Sequence, residues 1–392
     1  MYKKLLLVSA AMLVLTFAGC KTKTEEKLDY NRELLPGEEA LVKITDPAMM
    51  PDFTKACNNL YGLEEAINNS LNYMGKPSSH NFFPINGISH QRVVDSLRAF
   101  RDLINQGYGP SQLNDQIAQK FDVYMSVGCD KQGTVLFTGY YTPIFNGSQT
   151  RSERFKYPLY GMPDGLVKNE SGETIGIEGA GGQLMKCPPR SQIESSGILN
   201  GKEIIWLEDP FEVYIAHVQG SAKIRIEDGS LVTVGYAATN GYEYKSITKD
   251  LSANAGIPLD KMSLSAMIDY FSRNKDQVPR YVNTNPRFVF FRITQGNPTG
   301  SINEPVMRLR TIATDKTIFP RAALTFIDTK LPRNIGNEVV IYPYKGFFLD
   351  QDTGGAIRAP GRCDIYMGQG DEAGLVAGKT YEEGKLYYLV LK

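Results

Sequence analysis

The stretch DTGGAIRAPGRCDIYMG, residues 352–368, places two acids, Asp352 and Asp364, on either side of a turn rich in glycine and proline. Glycine frees φ and proline fixes it, so this composition reads as a turn, and the apolar and aromatic residues after Asp364 read as a strand. An aspartate beside a turn commonly does no more than accept backbone N–H groups. A partly buried acid with a second acid nearby can instead hold a proton at neutral pH. The rest of the chain decides which of these applies.

Around this stretch the chain is a series of short β-rich runs separated by Gly, Pro, Asn and Asp turns. They include TVLFTGYYTPIF, FEVYIAHVQGSAKIRI, SLVTVGYAA, RFVFFRIT, TIATD, LTFID, EVVIYPY and KLYYLVL. Such a pattern predicts barrels or sandwiches of short strands. The segment from Met50 to Gln106 differs. Leu60, Leu63, Ala66, Ile67, Leu71 and Met74 recur at helical spacing, as do Val93, Val94, Leu97, Phe100, Leu103 and Ile104 behind the capping candidate Ser89. A further helix is predicted from about Leu259 to Asn274. GAGG at 179–182 lacks both the third glycine of a dinucleotide fingerprint and the lysine of a phosphate loop, and reads as a loop.

The N-terminus, MYKKLLLVSAAMLVLTFAGC, has a cationic start, an apolar run from Leu5 to Ala18 and small residues before Cys20. The run is short for a bilayer span and reads as a secretory signal, ending in the small-small-Cys pattern of a bacterial lipoprotein. Cys20 is therefore the expected lipidation site and membrane anchor. The charged stretch that follows, poor in large apolar groups, predicts a solvated tether. Removing Lys3 and Lys4 leaves 41 basic against 43 acidic residues. A net charge of −2 offers nothing to nucleic acid.

Cys57, Cys129, Cys187 and Cys363 remain, with no CxxC pair, and could be thiols or form disulfides in an exported chain. His80, His90 and His217 lack metal-ligand spacing, so neither a metal nor a cofactor is expected.

Two motifs suggest sugar. FTGYYTP and FKYPLYGMP place Tyr140, Tyr141, Tyr157 and Tyr160 among glycine and proline, where aromatic faces could stack on sugar rings or simply pack. Asp228-Gly229 predicts a hairpin turn. Near it, Gln219, Ser221 and Asn240 could bind sugar hydroxyls or satisfy turn backbone.

Eight blocks, TGYYTP, YPLYGMP, VQGS, GYAATNGYEYKSI, NPRFVFF, ATDKTIFP, DTGGAI and DIYMGQGDEAGLVAG, occur in an order that resembles the membrane-bound lytic murein transglycosylase A family. The last three resemble its three-aspartate domain, with Asp315, Asp352 and Asp364 as the acids. RAPGRC and PRAAL depart from the family's pattern in the turns beside them.

The resemblance implies a mainly β protein with some helices. A double-psi β-barrel is built from residues 46–141 and 285–392, and a second, barrel-like β domain is inserted at 142–284. Residues 1–19 would be the signal and 20–45 the lipidated tether. It implies cleavage of the β-1,4 bond from N-acetylmuramic acid to N-acetylglucosamine in peptidoglycan strands, with a 1,6-anhydro end as product. Asp364 is the expected acid and base, Asp352 its catalytic partner and Asp315 a structural acid, with Thr138, Tyr140, Tyr141, Gln219 and Ser221 on the substrate. The expected location is the periplasm, anchored to the outer membrane of a Gram-negative cell, with wall-synthesis proteins as further partners. A two-carboxylate hydrolase and a non-catalytic wall-binding lipoprotein are the alternatives.

Overall fold

In the computed structural model, residues 28–170, 172–259, 262–336 and 338–392 are described. The signal segment and Cys20 lie outside them. A short strand β1 (Leu41–Lys43) precedes helices α1 (Thr54–Cys57), α2 (Leu63–Met74), α3 (His90–Ile104) and α4 (Pro110–Lys120). Ser89 caps α3 by accepting the Arg92 N–H, and its buried stripe is Val93, Val94, Leu97, Phe100 and Leu103. Strands β2 (Phe121–Ser126) and β3 (Val135–Thr142) follow.

The chain then leaves for a second body. It contains β4 (Ile144–Ser148), β5 (Tyr157–Tyr160), β6 (Leu166–Lys168), β7 (Thr174–Glu178), β8 (Leu184–Met185) and helix α5 (Arg190–Ile193). Next come β9 (Glu203–Leu207), α6 (Pro210–Gln219), β10 (Ser221–Arg225) and β11 (Leu231–Thr239). Helices α7 (Thr248–Ala255), α8 (Leu264–Arg273) and α9 (Val278–Val282) lead to β12 (Val289–Thr294). The chain returns as β13 (Thr311–Ala313), β14 (Leu324–Ile335), β15 (Glu338–Asp352), β16 (Arg362–Gln369), α10 (Gly370–Ala377) and β17 (Tyr381–Leu391).

Six strands close into a barrel in the order β17-β14-β15-β13-β16-β3 and back to β17. Strand β17 makes the closure by changing partner along its length. Tyr381–Gly384 pair with β3, and Lys385–Tyr388 pair with β14. Gly384 sits at the changeover, where a Cβ would lie 2.4 Å from the Asp328 carbonyl oxygen, so only glycine fits without a shift. Helices α2 and α3 cover the barrel, and their stripes join Phe121, Phe326 and Phe347 in one core. The second body has its own core and a six-stranded sheet, β12-β11-β10-β4-β9-β5, with a small sheet β6-β7-β8 beside it. The two cores are what make these separate bodies.

Four sequence expectations are corrected. First, FEVYIAHVQ is not a strand but helix α6: Asp209 accepts the Phe211 N–H, Pro210 occupies the first turn and Gly220 ends the helix at φ 75°. Second, the return to the barrel comes later than 285, because β12 pairs antiparallel with β11 from Val289 to Thr294. Third, the free tether stops well short of residue 45. Tyr30 donates to Glu383, Arg32 to the Cys129 carbonyl, and β1 pairs with β2 over buried Ala40 and Leu41. Fourth, the helix read from about Leu259 starts at Leu264, behind the cap Ser263.

The Asp228-Gly229 turn joins β10 to β11 with Gly229 at φ 85°. The four cysteines of the described chain are free, buried thiols.

Candidate active site

Asp352 ends β15 and Asp364 lies on β16. Both are register partners of Ala313 on the strand between them, Asp352 in parallel and Asp364 antiparallel. The β13–β15 register slips at Ala313, and the two acids meet at this residue, close enough for the Asp352 charge to act on Asp364. Two strand spacings put their Cα atoms roughly 9–10 Å apart. Thr138 of β3 continues the row, paired with Asp364, and Tyr140 pairs with Tyr366 two residues further along.

Asp352 is fully engaged as an acceptor. Its Oδ2 accepts the Tyr140 hydroxyl at 2.8 Å, and its Oδ1 accepts the Ser301 and Thr353 N–H groups at 2.9 and 2.8 Å. Burial raises its pKa above the usual carboxylate value, and these donors and Lys316 offset only part of that rise.

Asp364 contrasts with it. Its Oδ1 is shut off from solvent and has no hydrogen-bond partner. Burial, with a smaller push from the Asp352 charge, raises its pKa to about 7, against lowering contributions from Thr138, Arg362 and the Ile365 N–H. Two acids in one row thus have opposite surroundings: one saturated with donors, one with an oxygen left over.

The elements that hold this row are tight. Gly139 of β3 lets α10 approach so closely that a Cβ would lie 2.9 Å from the Ala377 Cα. Below the row, Lys316 and Asp350 form a buried ion pair, and Asp350 also accepts the Thr314 and Tyr388 hydroxyls at 2.7 Å. Neither residue is among the sequence candidates. LDQD shows Asp350 as a third acid near Asp352, but nothing in the sequence pairs it with Lys316.

Asp315 lies aside from the row. Its Oδ1 accepts the Thr317 N–H and hydroxyl, and its Oδ2 accepts the Ala359 N–H at 3.1 Å, so it ties together two turns. Two departures seen in the sequence lie in or just after these turns: Ala359 of RAPGRC and Ala322 of PRAAL adopt φ 67° and 62°, where glycine is the unstrained residue.

Tyr140 reaches the acid row, but Tyr141 does not. Neighbouring strand residues point to opposite faces, and Tyr141, 6% exposed, buries its ring at Gly374 of α10. The expectation that both tyrosines offer faces to sugar is corrected for Tyr141. Tyr157 and Tyr160 lie on β5 in the second body. Gln219 and Ser221 come to the junction of the two bodies. The Gln219 Oε1 accepts the Tyr141 N–H at 3.1 Å, and the Ser221 hydroxyl lies 3.5 Å from that of Thr142. Asn240 is buried and saturated, bonded to Pro188, Pro286 and Phe288 backbone. Among the described residues, no cluster of His, Cys, Asp and Glu could hold a metal ion, and no helix is long and apolar enough to cross a membrane.

The fold brings two acids together in a closed β-barrel, and Gln219 and Ser221 bring the second β body against β3 beside them. Residues 136–292 match the MltA specific insert domain, and residues 310–390 match the 3D domain. Membrane-bound lytic murein transglycosylase A of Vibrio cholerae is 32% identical over 270 residues, 68% of each chain. The Escherichia coli K12 protein of that name is 28% identical over 354 residues, 88% of this chain and 87% of the relative. The chain belongs to the membrane-bound lytic murein transglycosylase A family.

Solved structures agree in fold. That of a membrane-bound lytic murein transglycosylase from Agrobacterium tumefaciens has a TM-score of 0.74 at 23% identity, covering 90% of this chain and 98% of the other. Escherichia coli MltA with bound chitohexaose has a TM-score of 0.66 at 23% identity, covering 93% and 99%.

Proposed function

We propose that this chain, a peptidoglycan-cleaving lytic transglycosylase, uses Asp364 first as acid and then as base, with Asp352 as its electrostatic partner. The single observation that carries the reading is the buried, unpartnered Oδ1 of an acid whose pKa lies near 7. A carboxyl group that is still partly protonated at neutral pH can donate to the leaving oxygen.

The proton passes to O4 of N-acetylglucosamine as its bond to C1 of N-acetylmuramic acid breaks. The C6 hydroxyl of the same muramic sugar then bonds to C1, and its proton returns to Asp364. Atoms balance without water, and the product is a 1,6-anhydro end. Positive charge develops at C1 during this exchange. Asp352, held by three donors, supplies the nearby negative charge and discourages early ionisation of Asp364. Tyr140 orients Asp352, Thr138 borders Asp364, and Gln219 and Ser221 fix the second body against β3 so that a glycan can lie along the junction.

Two parallel pairings, β3 with β16 and β13 with β15, support a double-psi winding of the barrel. Lipidation at Cys20 would hold the enzyme on the periplasmic side of the outer membrane, in reach of the wall and of wall-synthesis proteins. Mass spectrometry of fragments released from purified sacculi tests the reaction. Anhydro ends are expected, and reducing ends alone would mean a hydrolase.

A further inference from the structure

The small sheet β6-β7-β8 carries an apolar exposed surface that its own fold does not use. Ile175, Leu184 and Met185 are 51%, 54% and 46% exposed. They line a cavity of about 330 Å³ with Thr174, Lys186 and Gly241. Lys186 stands at its edge with Nζ 4.4 Å from the centre of the Tyr242 ring. Among the described residues it forms no ion pair, so its charge is held by an aromatic face alone.

This cavity is connected to the acid site through few side chains. Gly355 lies three residues after Asp352, and a Cβ there would be 3.3 Å from the Arg287 guanidinium carbon. Arg287 Nη1 in turn donates to the Tyr242 carbonyl at 3.2 Å. Gly241, beside Tyr242, packs so closely on the small sheet that a Cβ there would lie 2.7 Å from the Thr174 carbonyl oxygen. The small sheet therefore overlooks the junction between the bodies.

We infer that the cavity of Ile175, Leu184, Met185 and Lys186, with Tyr242 behind the Lys186 ammonium, is a subsite for the acidic peptide stem of the glycan strand. This rests on the peptidoglycan-cleaving reading above. Peptidoglycan differs from an unsubstituted glycan in the short peptides on its muramic sugars, which carry methyl side chains and free carboxylates. Exposed Ile, Leu and Met side chains suit the methyl groups, and an unpaired ammonium over an aromatic ring suits a carboxylate. Three to five extended residues span roughly 10–17 Å, and the contacts from Gly355 through Arg287 to Tyr242 mark the path such a stem would follow. The small sheet would thus distinguish stem-bearing strands from bare ones.

The test compares wild type with Lys186→Met on two substrates: purified glycan strands with their stems, and the same strands stripped of stems by an amidase. On stem-bearing strands, KM should rise roughly 3- to 10-fold with kcat unchanged, the size of one lost charge-assisted contact. Stripped strands should be turned over equally by both proteins, and Lys186→Arg should restore the wild-type KM. An equal rise on both substrates would make the cavity a sugar subsite and overturn the inference, as would no change on either. Failure of the underlying reading looks different, because wild type itself would then release no anhydro ends from either substrate.

Discussion

Asp352 and Asp364 stand on opposite sides of the same residue, Ala313, in one row of the barrel sheet. Asp352 accepts three hydrogen bonds, while the Asp364 Oδ1 has none. This asymmetry supports the proposed roles, Asp364 as proton carrier and Asp352 as its electrostatic partner. The kcat/KM of the enzyme should therefore fall as pH rises through about 7, where Asp364 loses its proton. Removing the neighbouring charge in Asp352→Asn should move that alkaline limb to lower pH, because the Asp352 charge raises the Asp364 pKa. A limb that stays in place would show that the two acids do not interact.

The same shift has a cost in stability. Asp364 has a folded pKa raised above the usual carboxylate value. The folded state therefore holds a proton that the unfolded state has released, and stability declines as pH rises from about 4 to about 7. Asp364→Asn removes the ionisable group, so the variant should be more stable than wild type above pH 7, by on the order of 2–4 kcal/mol. The gain should fade towards pH 4. Denaturant unfolding at pH 4 and pH 8 measures this, and a variant less stable than wild type at pH 8 would contradict it.

The adjacent tyrosines should respond differently to truncation. Tyr141 is a core ring packed at Gly374, and Tyr141→Ala should cost about 3–5 kcal/mol of stability. Tyr140 meets Asp352 through its hydroxyl, so Tyr140→Phe should keep the fold and raise the Asp352 pKa, visible as a shifted acid limb. Paired melting curves and pH profiles separate the two. Equal melting losses for both variants would go against the assignment.

Beneath the acids, the Lys316–Asp350 pair is buried. Removing one partner strands the other charge, so Lys316→Met should cost about 3–5 kcal/mol, and adding Asp350→Asn should recover much of it. A single variant that melts like wild type would show that the pair contributes little.

Much of this architecture is legible in the sequence for physical reasons. The α3 stripe and its Ser89 cap are local signals, and so is the Asp228-Gly229 turn. Helix α6 escapes a reading by periodicity because FEVYIAHV is apolar on most sides, which blurs its period. Its ends, Asp209-Pro210 and Gly220, carry the better signal. Strand alternation by itself places Tyr140 and Tyr141 on opposite faces, so only one of them can line the cleft. The Lys316–Asp350 pair is not legible, since barrel closure and the irregular register between β13 and β15 create it. Nor is the small sheet's relation to the junction, which depends on contacts from Arg287 to Tyr242 and Gly355.

In the proposed reaction one carboxyl group, that of Asp364, both gives and takes the proton. Its most direct test is turnover of purified sacculi by Asp364→Asn, with a melting curve alongside. Asparagine keeps the size of the side chain but can neither donate a carboxylic proton nor recover one. Each role typically contributes ~10²–10⁴-fold, so a folded variant should release anhydro ends near background while still binding glycan. A folded Asp364→Asn protein that releases anhydro ends at the wild-type rate would contradict the account.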